Sequence, residues 1–151
     1  MDEFEKSLND ILVNTFNNIL KYEEASLKTI ADIPVTMAEA HMIEAISKRG
    51  GQSTVSDIAN DLNITPPTAT VAVKKLEKKG FVIKVPFSKD GRRFIISLTR
   101  KGEKVDRAHS IFHRRMVRNI SRKFTDAEKN ILLVAVKKLG DFFGEKAKVF
   151  D

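Results

Sequence analysis

The 151-residue chain has the length of one domain and enough residues to bury a core. Its 42% hydrophobic and 31% charged residues are typical of a soluble globular protein, and the absence of cysteine excludes a disulfide framework, a thiolate metal site and a thiol nucleophile. The acidic start, Met1 to Glu5, is unlike a signal peptide, and no apolar run has the length of a membrane span. We therefore expect a cytoplasmic protein without a membrane partner.

The net charge of +7 is unevenly distributed along the chain. Residues 1–45 carry nine acidic and three basic side chains, a net charge of −6, whereas residues 46–151 carry 24 basic and 11 acidic ones, a net charge of +13. A strongly basic body of this kind is typical of a protein that binds a polyanion. The alternative is that the positive charge serves only to keep the protein soluble.

Helical patterns fill the first half of the sequence. Apolar residues at helical spacing from Phe4 to Leu20 predict a long amphipathic helix, and a capping box at residues 36–39 begins a second helix that ends at Gly50-Gly51. Thr54 caps a short third helix through residue 62. Thr65 caps a fourth, which has proline at its first position and ends before Gly80. The third and fourth helices, joined by a tight turn, predict a helix-turn-helix.

After Gly80 the spacing of apolar residues changes from the helical period toward the period of two that is typical of strands. Residues 81–86 and 94–98 predict two strands of a hairpin with a turn at residues 88–91. Thr99 begins a long helix to about Lys123, and a second capping box at residues 125–128 opens a final helix to about residue 148. The predicted fold is mainly α with a small β-wing, in the order of four helices, the wing and two helices.

The exposed face of the fourth helix is small, hydroxylated and basic, which suits entry into a DNA major groove. The hairpin tip is also basic, and an arginine there can reach into a minor groove. The predicted DNA-binding residues are Pro67, Thr70, Val71 and Lys74 on this face and Thr54 at the start of the third helix, with Lys89, Arg92 and Arg93 on the wing. A solvated lysine-rich helix and a surface Asp90–Arg92 pair are the alternatives.

Two motifs carry a resemblance to the MarR family of winged helix-turn-helix regulators. Asp90-Gly91-Arg92 followed by Leu98-Thr99-Arg100-Lys101-Gly102 matches the family's D-x-R…L-T-x-x-G pattern, and Leu76-Glu77-Lys78-Lys79-Gly80 matches its L-E-x-x-G. The resemblance implies a DNA-binding lobe at 36–99 and a helical dimerisation region at 1–33 and 100–151. It also implies a homodimer that binds a pseudo-palindromic DNA operator, usually as a repressor, with half-sites about one helical turn apart. Carried over by position, it adds Thr65, Thr68 and Lys75 to the predicted DNA-binding residues and places Arg92 in the minor groove. Pro66-Pro67 departs from the family pattern and puts the family's first-turn contacts in doubt.

Two further stretches resemble the FabT-type branch of the family, which represses bacterial fatty acid biosynthesis. They are Phe16-Asn17-Asn18-Ile19-Leu20 with Glu23-Glu24, and residues 109–117. The resemblance implies a long-chain acyl group on acyl carrier protein as corepressor. On the fifth helix, a face of His109, Phe112, His113 and Met116 is the predicted effector site, and residues 107–123 contain six arginines and lysines but no acid, which would attract an acidic carrier. Plain core packing of the apolar and histidine face is the alternative.

Other functions receive less support from the sequence. His109 and His113 lack the intervening glutamate of H-E-x-x-H and show no third ligand, so no metal site is predicted. No nucleophile elbow or phosphate-binding glycine loop is present, so we expect neither catalytic residues nor a cofactor. A regulator released from DNA by a small lipophilic or phenolic ligand, and a DNA binder without sequence preference, are the remaining alternatives.

Overall fold

A computed structural model describes residues 1–87 and 94–147 of the chain. The described part is mainly helical with a small antiparallel sheet, which confirms the predicted fold class. In chain order the elements are α1 (Glu3–Ala31), α2 (Met37–Lys48), β1 (Gln52–Ser53), α3 (Val55–Leu62), α4 (Pro66–Lys78), β2 (Val82–Pro86), β3 (Phe94–Leu98), α5 (Arg100–Ser121) and α6 (Asp126–Ala147). The chain divides into two compact units, Met1–Phe112 and His113–Asp151.

The helices begin at the caps that the sequence predicts. Thr36 Oγ1 accepts from the amide of Glu39 at 3.2 Å, and the Glu39 carboxylate accepts from the amide of Thr36 at 2.9 Å. The same reciprocal arrangement joins Thr125 and Glu128 at the start of α6. Because each box satisfies two amides that lack a partner within the helix, it fixes the residue at which the helix begins. Gly80, with φ of +77°, ends α4 in the left-handed region that glycine adopts at little steric cost.

The sheet has three strands in the order β1-β3-β2, and both pairings are antiparallel. The wing strands β2 and β3 pair from Val82 opposite Leu98 to Pro86 opposite Phe94. The sequence analysis predicted these two strands but missed β1, whose two residues are too few to show a period. β1 pairs with β3, which joins the segment between α2 and α3 to the base of the wing.

The core of the first unit is formed by one buried apolar cluster that includes residues of α1 to α5 and of the sheet. Phe81 and Ile96 from the base of the wing are fully buried in it, together with Leu76 from α4. The orientation of α4 and of the wing base is therefore fixed by close packing, which resists small displacements.

Two long helices expose large apolar side chains. The exposed set on α1 is Phe4, Ile11, Val13, Phe16, Ile19, Leu20 and Tyr22, and that on α6 is Ile131, Leu133, Val134, Val136, Phe142 and Phe143. Apolar surface of this extent is unusual for a monomer and indicates a protein interface on each helix. Within residues 1–87 and 94–147, no helix combines the length and the apolar character that a membrane span requires.

Candidate nucleic-acid interface

The fourth helix, α4, presents one face to the core and the opposite face to solvent. Ala69, Val73 and Leu76 are buried, as the helical period predicts. The exposed residues of α4 include every predicted DNA-binding residue of this helix, namely Pro67, Thr68, Thr70, Val71, Lys74 and Lys75, and Thr65 is exposed at its N-cap. The structure thus brings these seven predicted residues to one solvent-accessible helix.

The first turn of α4 is held by local hydrogen bonds. Thr65 Oγ1 accepts from the amide of Thr68 at 3.3 Å and lies 2.8 Å from Thr68 Oγ1. Thr70 Oγ1 donates to the carbonyl oxygen of Pro66 at 2.9 Å. Pro66 and Pro67 occupy the first two helical positions, where their missing N–H groups leave no intrahelical bond unmade.

The C-terminal end of α4 is tied to two other helices. Lys79 Nζ lies 2.7 Å from Glu39 Oε1, at the beginning of α2. Lys101 Nζ, at the beginning of α5, donates to the carbonyl oxygen of Lys79 at 2.7 Å and lies 4.9 Å from the centre of the Phe81 ring. Burial opposes ionisation of Glu39, but the hydrogen bonds from Lys79 and Thr36 outweigh it and hold the pKa of Glu39 below its usual value. These contacts fix where the exposed lysines of α4 stand.

The preceding helix, α3, is fixed to α2 by an arginine. Arg49 donates from Nε and Nη2 to the two carboxylate oxygens of Asp61 at 2.6 and 2.8 Å, and its Nη1 lies 3.4 Å from Asp57 Oδ1. The hydrogen bonds from Arg49 lower the pKa of Asp61. A bidentate arginine pair of this geometry restrains orientation more than a single exposed ion pair does.

Thr54, the predicted DNA-binding residue outside α4 and the wing, is exposed at the N-cap of α3. Its Oγ1 accepts from the amide of Asp57 at 3.1 Å and also donates to the Asp57 carboxylate at 2.7 Å. Thr54 therefore has a structural role as the N-cap of α3, and its contact with DNA stays a prediction. Lys89, Arg92 and Arg93, at the predicted wing tip, lie outside the described residues.

The predicted effector residue His109 belongs to a network of ionisable side chains. This side chain is 1% exposed, and its Nε2 lies 2.5 Å from Glu23 Oε1. Its Nδ1 lies 3.6 Å from Glu44 Oε2, and His41 Nε2 lies 3.4 Å from Glu23 Oε1. Burial opposes ionisation of Glu23, but hydrogen bonds from His109 and His41 outweigh it and lower its pKa. The network joins α1, α2 and α5.

Sequence reasoning missed Glu23 and Glu44 as partners of His109. It treated the histidine as an effector ligand or a core residue and named no acidic partner for it. Glu23 is 86 positions away in sequence, and a local pattern does not show a contact of that separation. A signal was present in Glu23 itself, because an acid on the inner face of an amphipathic helix needs a buried partner.

The other predicted effector residues differ in burial. Phe112 is 2% exposed, and its ring meets that of Tyr22 edge to face with centroids 5.1 Å apart. His113 and Met116 are half-buried. The arginines predicted for the other face of α5, Arg107, Arg114 and Arg118, are exposed. The two-sided character of α5 follows the sequence pattern, and the effector role of the four residues stays a prediction.

The structure has the elements of a winged helix-turn-helix protein. A short helix, α3, precedes the exposed basic helix α4, and an antiparallel wing follows.

A MarR family model matches residues 32–93 of the chain. The HTH-type transcriptional regulator BilQ of Clostridium symbiosum is 31% identical over 107 residues, covering 70% of this chain and 73% of that protein. YkoM of Bacillus subtilis, an HTH-type transcriptional regulator, is 29% identical over 141 residues, covering 92% of this chain and 89% of that protein. 

The structure of Streptococcus pneumoniae FabT in complex with DNA superposes with a TM-score of 0.85 at 29% identity, covering 93% of this chain and 98% of that one. The chain belongs to the MarR family of DNA-binding transcriptional regulators. Proteins of this family bind DNA as dimers and are not enzymes.

Proposed function

We propose that this protein is a homodimeric repressor that binds a pseudo-palindromic operator of fatty acid biosynthesis genes, with long-chain acyl-acyl carrier protein as its corepressor. The observation that carries the proposal is the similarity to the FabT–DNA complex, at 29% identity over 93% of the chain. The motifs at residues 16–24 and 109–117 support the same branch of the family.

In this proposal α4 enters the major groove and the wing reaches the minor groove. The exposed threonines and Val71 face base edges, Lys74 and Lys75 pair with phosphates or bases, and Arg92 enters the minor groove. Thr54, Lys89 and Arg93 add contacts to the backbone at the edges of this footprint. Because dimers of winged helices place two recognition helices on one side of the duplex, half-sites about one helical turn apart are expected.

The exposed apolar residues of α1 and α6 support the dimer. Phe4 and Phe16 on α1 are 71% and 65% exposed, and Ile131 and Leu133 on α6 are 70% and 69% exposed. Burying such side chains in an interface between two copies removes apolar surface from water, at roughly 25 cal/mol for each Å².

The second half of α5 supports an acidic carrier as partner. Its basic residues from Arg114 onward, namely Arg114, Arg115 and Arg118, are exposed, as is Arg122 directly after the helix, and no acid lies between positions 107 and 123. A single-sign surface of this kind accelerates encounter with an oppositely charged protein. The half-buried His113 and Met116 are on the same helix and would contact the acyl group, with Phe112 and His109 as further members of the effector site.

The first experiment measures operator binding with and without the acylated carrier. The protein is titrated onto a labelled palindromic promoter fragment from upstream of fatty acid synthesis genes and followed by anisotropy, with an unrelated duplex at the same salt as control. Specific binding that tightens with long-chain acyl carrier protein supports the proposal, because an effector shifts DNA binding only by its differential affinity for the DNA-bound form. Specific binding that is weakened by a small lipophilic ligand and indifferent to the carrier favours the alternative MarR-type regulator.

A pair of variants separates the carrier surface from the DNA surface. Arg114→Ala with Arg118→Ala should leave operator affinity without carrier unchanged and reduce its enhancement by the carrier. Lys138→Ala, an exposed cation on α6, is the matched control and should retain the enhancement. Equal enhancement in all three proteins would contradict the carrier surface.

A further inference from the structure

The exposed face of α4 contains a shallow depression lined by Pro67, Thr68, Val71, Ala72 and Lys75. Val71, one of these lining residues, is 54% exposed. The pyrrolidine ring, the valine methyls and the alanine methyl contribute apolar surface, and Lys75 contributes a positively charged side chain. A single exposed valine is common on protein surfaces. Around Val71, however, most of the polar groups of the helix are already hydrogen-bonded within the helix.

The first turn of α4 offers few N–H groups to a ligand. Pro66 and Pro67 have none, the amide of Thr68 donates to Thr65 Oγ1, and the amide of Ala69 donates to the Thr65 carbonyl oxygen at 3.0 Å. Where a helix N-terminus binds a phosphate, it does so through backbone amides that have no partner within the protein. The backbone of this turn therefore cannot supply the donors that such a contact requires.

The hydroxyl groups of the same turn are also engaged. Thr70 donates its proton to the Pro66 carbonyl oxygen, and Thr65 and Thr68 share a hydrogen bond of 2.8 Å between their hydroxyl oxygens. The Thr65–Thr68 pair keeps one hydroxyl proton that this bond does not use. Apart from it, the surface presents methyl groups, acceptor lone pairs and the Lys75 side chain. The methyl groups of this surface are complementary to an apolar group in the major groove.

We propose that this depression reads thymine through its 5-methyl group, with Val71 as the specificity-determining residue and Pro67 and Ala72 as its walls. Thymine is the base that presents a methyl group in the major groove. The inference rests on the proposed entry of α4 into the operator, and it adds the base class that this part of the helix selects. Lys75 would then donate a hydrogen bond to a neighbouring phosphate or to the edge of a neighbouring purine.

The test removes single methyl groups from the DNA. The operator is first isolated by selection from random duplexes, and each thymine is then replaced in turn by deoxyuridine, which lacks only the 5-methyl group. The wild-type protein should bind about fourfold more weakly when the contacted thymine is replaced, which is the effect of removing one buried methyl-sized group. Val71→Ala should bind the thymine operator more weakly and show no further loss with deoxyuridine at that position.

Val117→Ala is the matched control, because it makes the same change at a 58% exposed valine of α5. It should keep the wild-type deoxyuridine profile. The inference is overturned if every deoxyuridine is neutral, or if Val71→Ala loses as much affinity on replacement as the wild type does. If selection returns no preferred sequence, the proposed operator binding fails with it; a preferred sequence that is insensitive to deoxyuridine removes this inference alone.

Discussion

The contact between Glu23 and His109 places two ionisable side chains in the core of the first unit, at 3% and 1% exposure. Removing the charge of one partner of a buried pair takes away part of the interaction that offsets the lost hydration of both groups, although His109 keeps its contact with Glu44. Glu23→Gln keeps the size of the side chain and removes its charge, so we expect the free energy of unfolding to fall by about 3 kcal/mol. Urea denaturation followed by circular dichroism measures the change.

Glu24→Gln is the matched control for that substitution, because Glu24 is exposed and pairs with Lys28 one turn away at 3.0 Å. Its cost should stay below about 0.5 kcal/mol, as for other surface pairs on helices. Equal losses in the two variants would mean that the buried pair contributes no more than an exposed one.

The lowered pKa of Glu23 also predicts how stability depends on pH. In the unfolded chain this carboxyl titrates near its ordinary value of 4.5, and in the folded protein it titrates at a lower pH. Its contribution is therefore fully present above the unfolded value and is lost as the pH falls through the folded one. The difference in urea midpoint between wild type and Glu23→Gln should be largest above pH 5 and should shrink as the pH approaches 3. A difference that grows on acidification would contradict this assignment.

At the scale of elements, Gly102 allows α5 to start against the base of the wing. A Cβ atom built there would collide with the carbonyl oxygen of Phe81 and lie 3.2 Å from a methyl carbon of Leu98. Backbone does not move aside as a flexible side chain does, so Gly102→Ala should destabilise the protein by about 1–3 kcal/mol. Gly140→Ala on α6, whose added Cβ meets no atom within 4 Å, should be neutral or stabilising by up to about 1 kcal/mol. Thermal unfolding of the two variants distinguishes these effects.

Local chemistry explains why most elements of this chain could be predicted. Each helix start at Thr36, Thr54, Thr65 and Thr125 depends on a cap within three residues of it, and Gly80 ends α4 through its own backbone conformation. The exposed face of α4 follows from the helical period alone. These features depend on residues that are close in sequence, so the local sequence pattern is enough to predict them.

Features that join distant segments could not be predicted in this way. The partners of His109, the tie between Glu39 and Lys79, and the pairing of β1 with β3 all depend on tertiary packing. β1 is also too short for a periodic signal. The candidate DNA surface was therefore predicted on α4, whereas the contacts that fix its position were found only in the folded chain.

At the scale of the whole molecule, the exposed apolar residues of α1 predict that assembly and DNA binding can be separated by mutation. Phe16→Glu places a charge where the proposed dimer buries a phenyl ring that is 65% exposed in the single chain. Burial of an unpaired charge is unfavourable, so the dimer should weaken by on the order of 3 kcal/mol, roughly a hundredfold. Sedimentation velocity should then show monomer at concentrations where wild type is a dimer.

Phe87→Glu provides the comparison, because Phe87 is 67% exposed next to the wing strand β2 and outside α1 and α6. It should remain dimeric and bind DNA more weakly, since it adds a negative charge near the proposed DNA surface. Monomer formation by this variant, or an intact dimer with Phe16→Glu, would show that the interface lies elsewhere.

The salt dependence of operator binding links the charge of the molecule to its assembly. Each phosphate contact releases counterions, so the slope of log K against log salt concentration is about −0.9 for each contact. If Lys74 pairs with a phosphate, a dimer loses two contacts in Lys74→Ala, and its slope should become less steep by about 1.8; a monomer would change by about 0.9. Lys28→Ala, which removes a lysine paired with Glu24 on α1, should leave the slope unchanged. A loss of affinity confined to one base pair of the operator, with an unaltered slope, would instead identify Lys74 as a reader of that base.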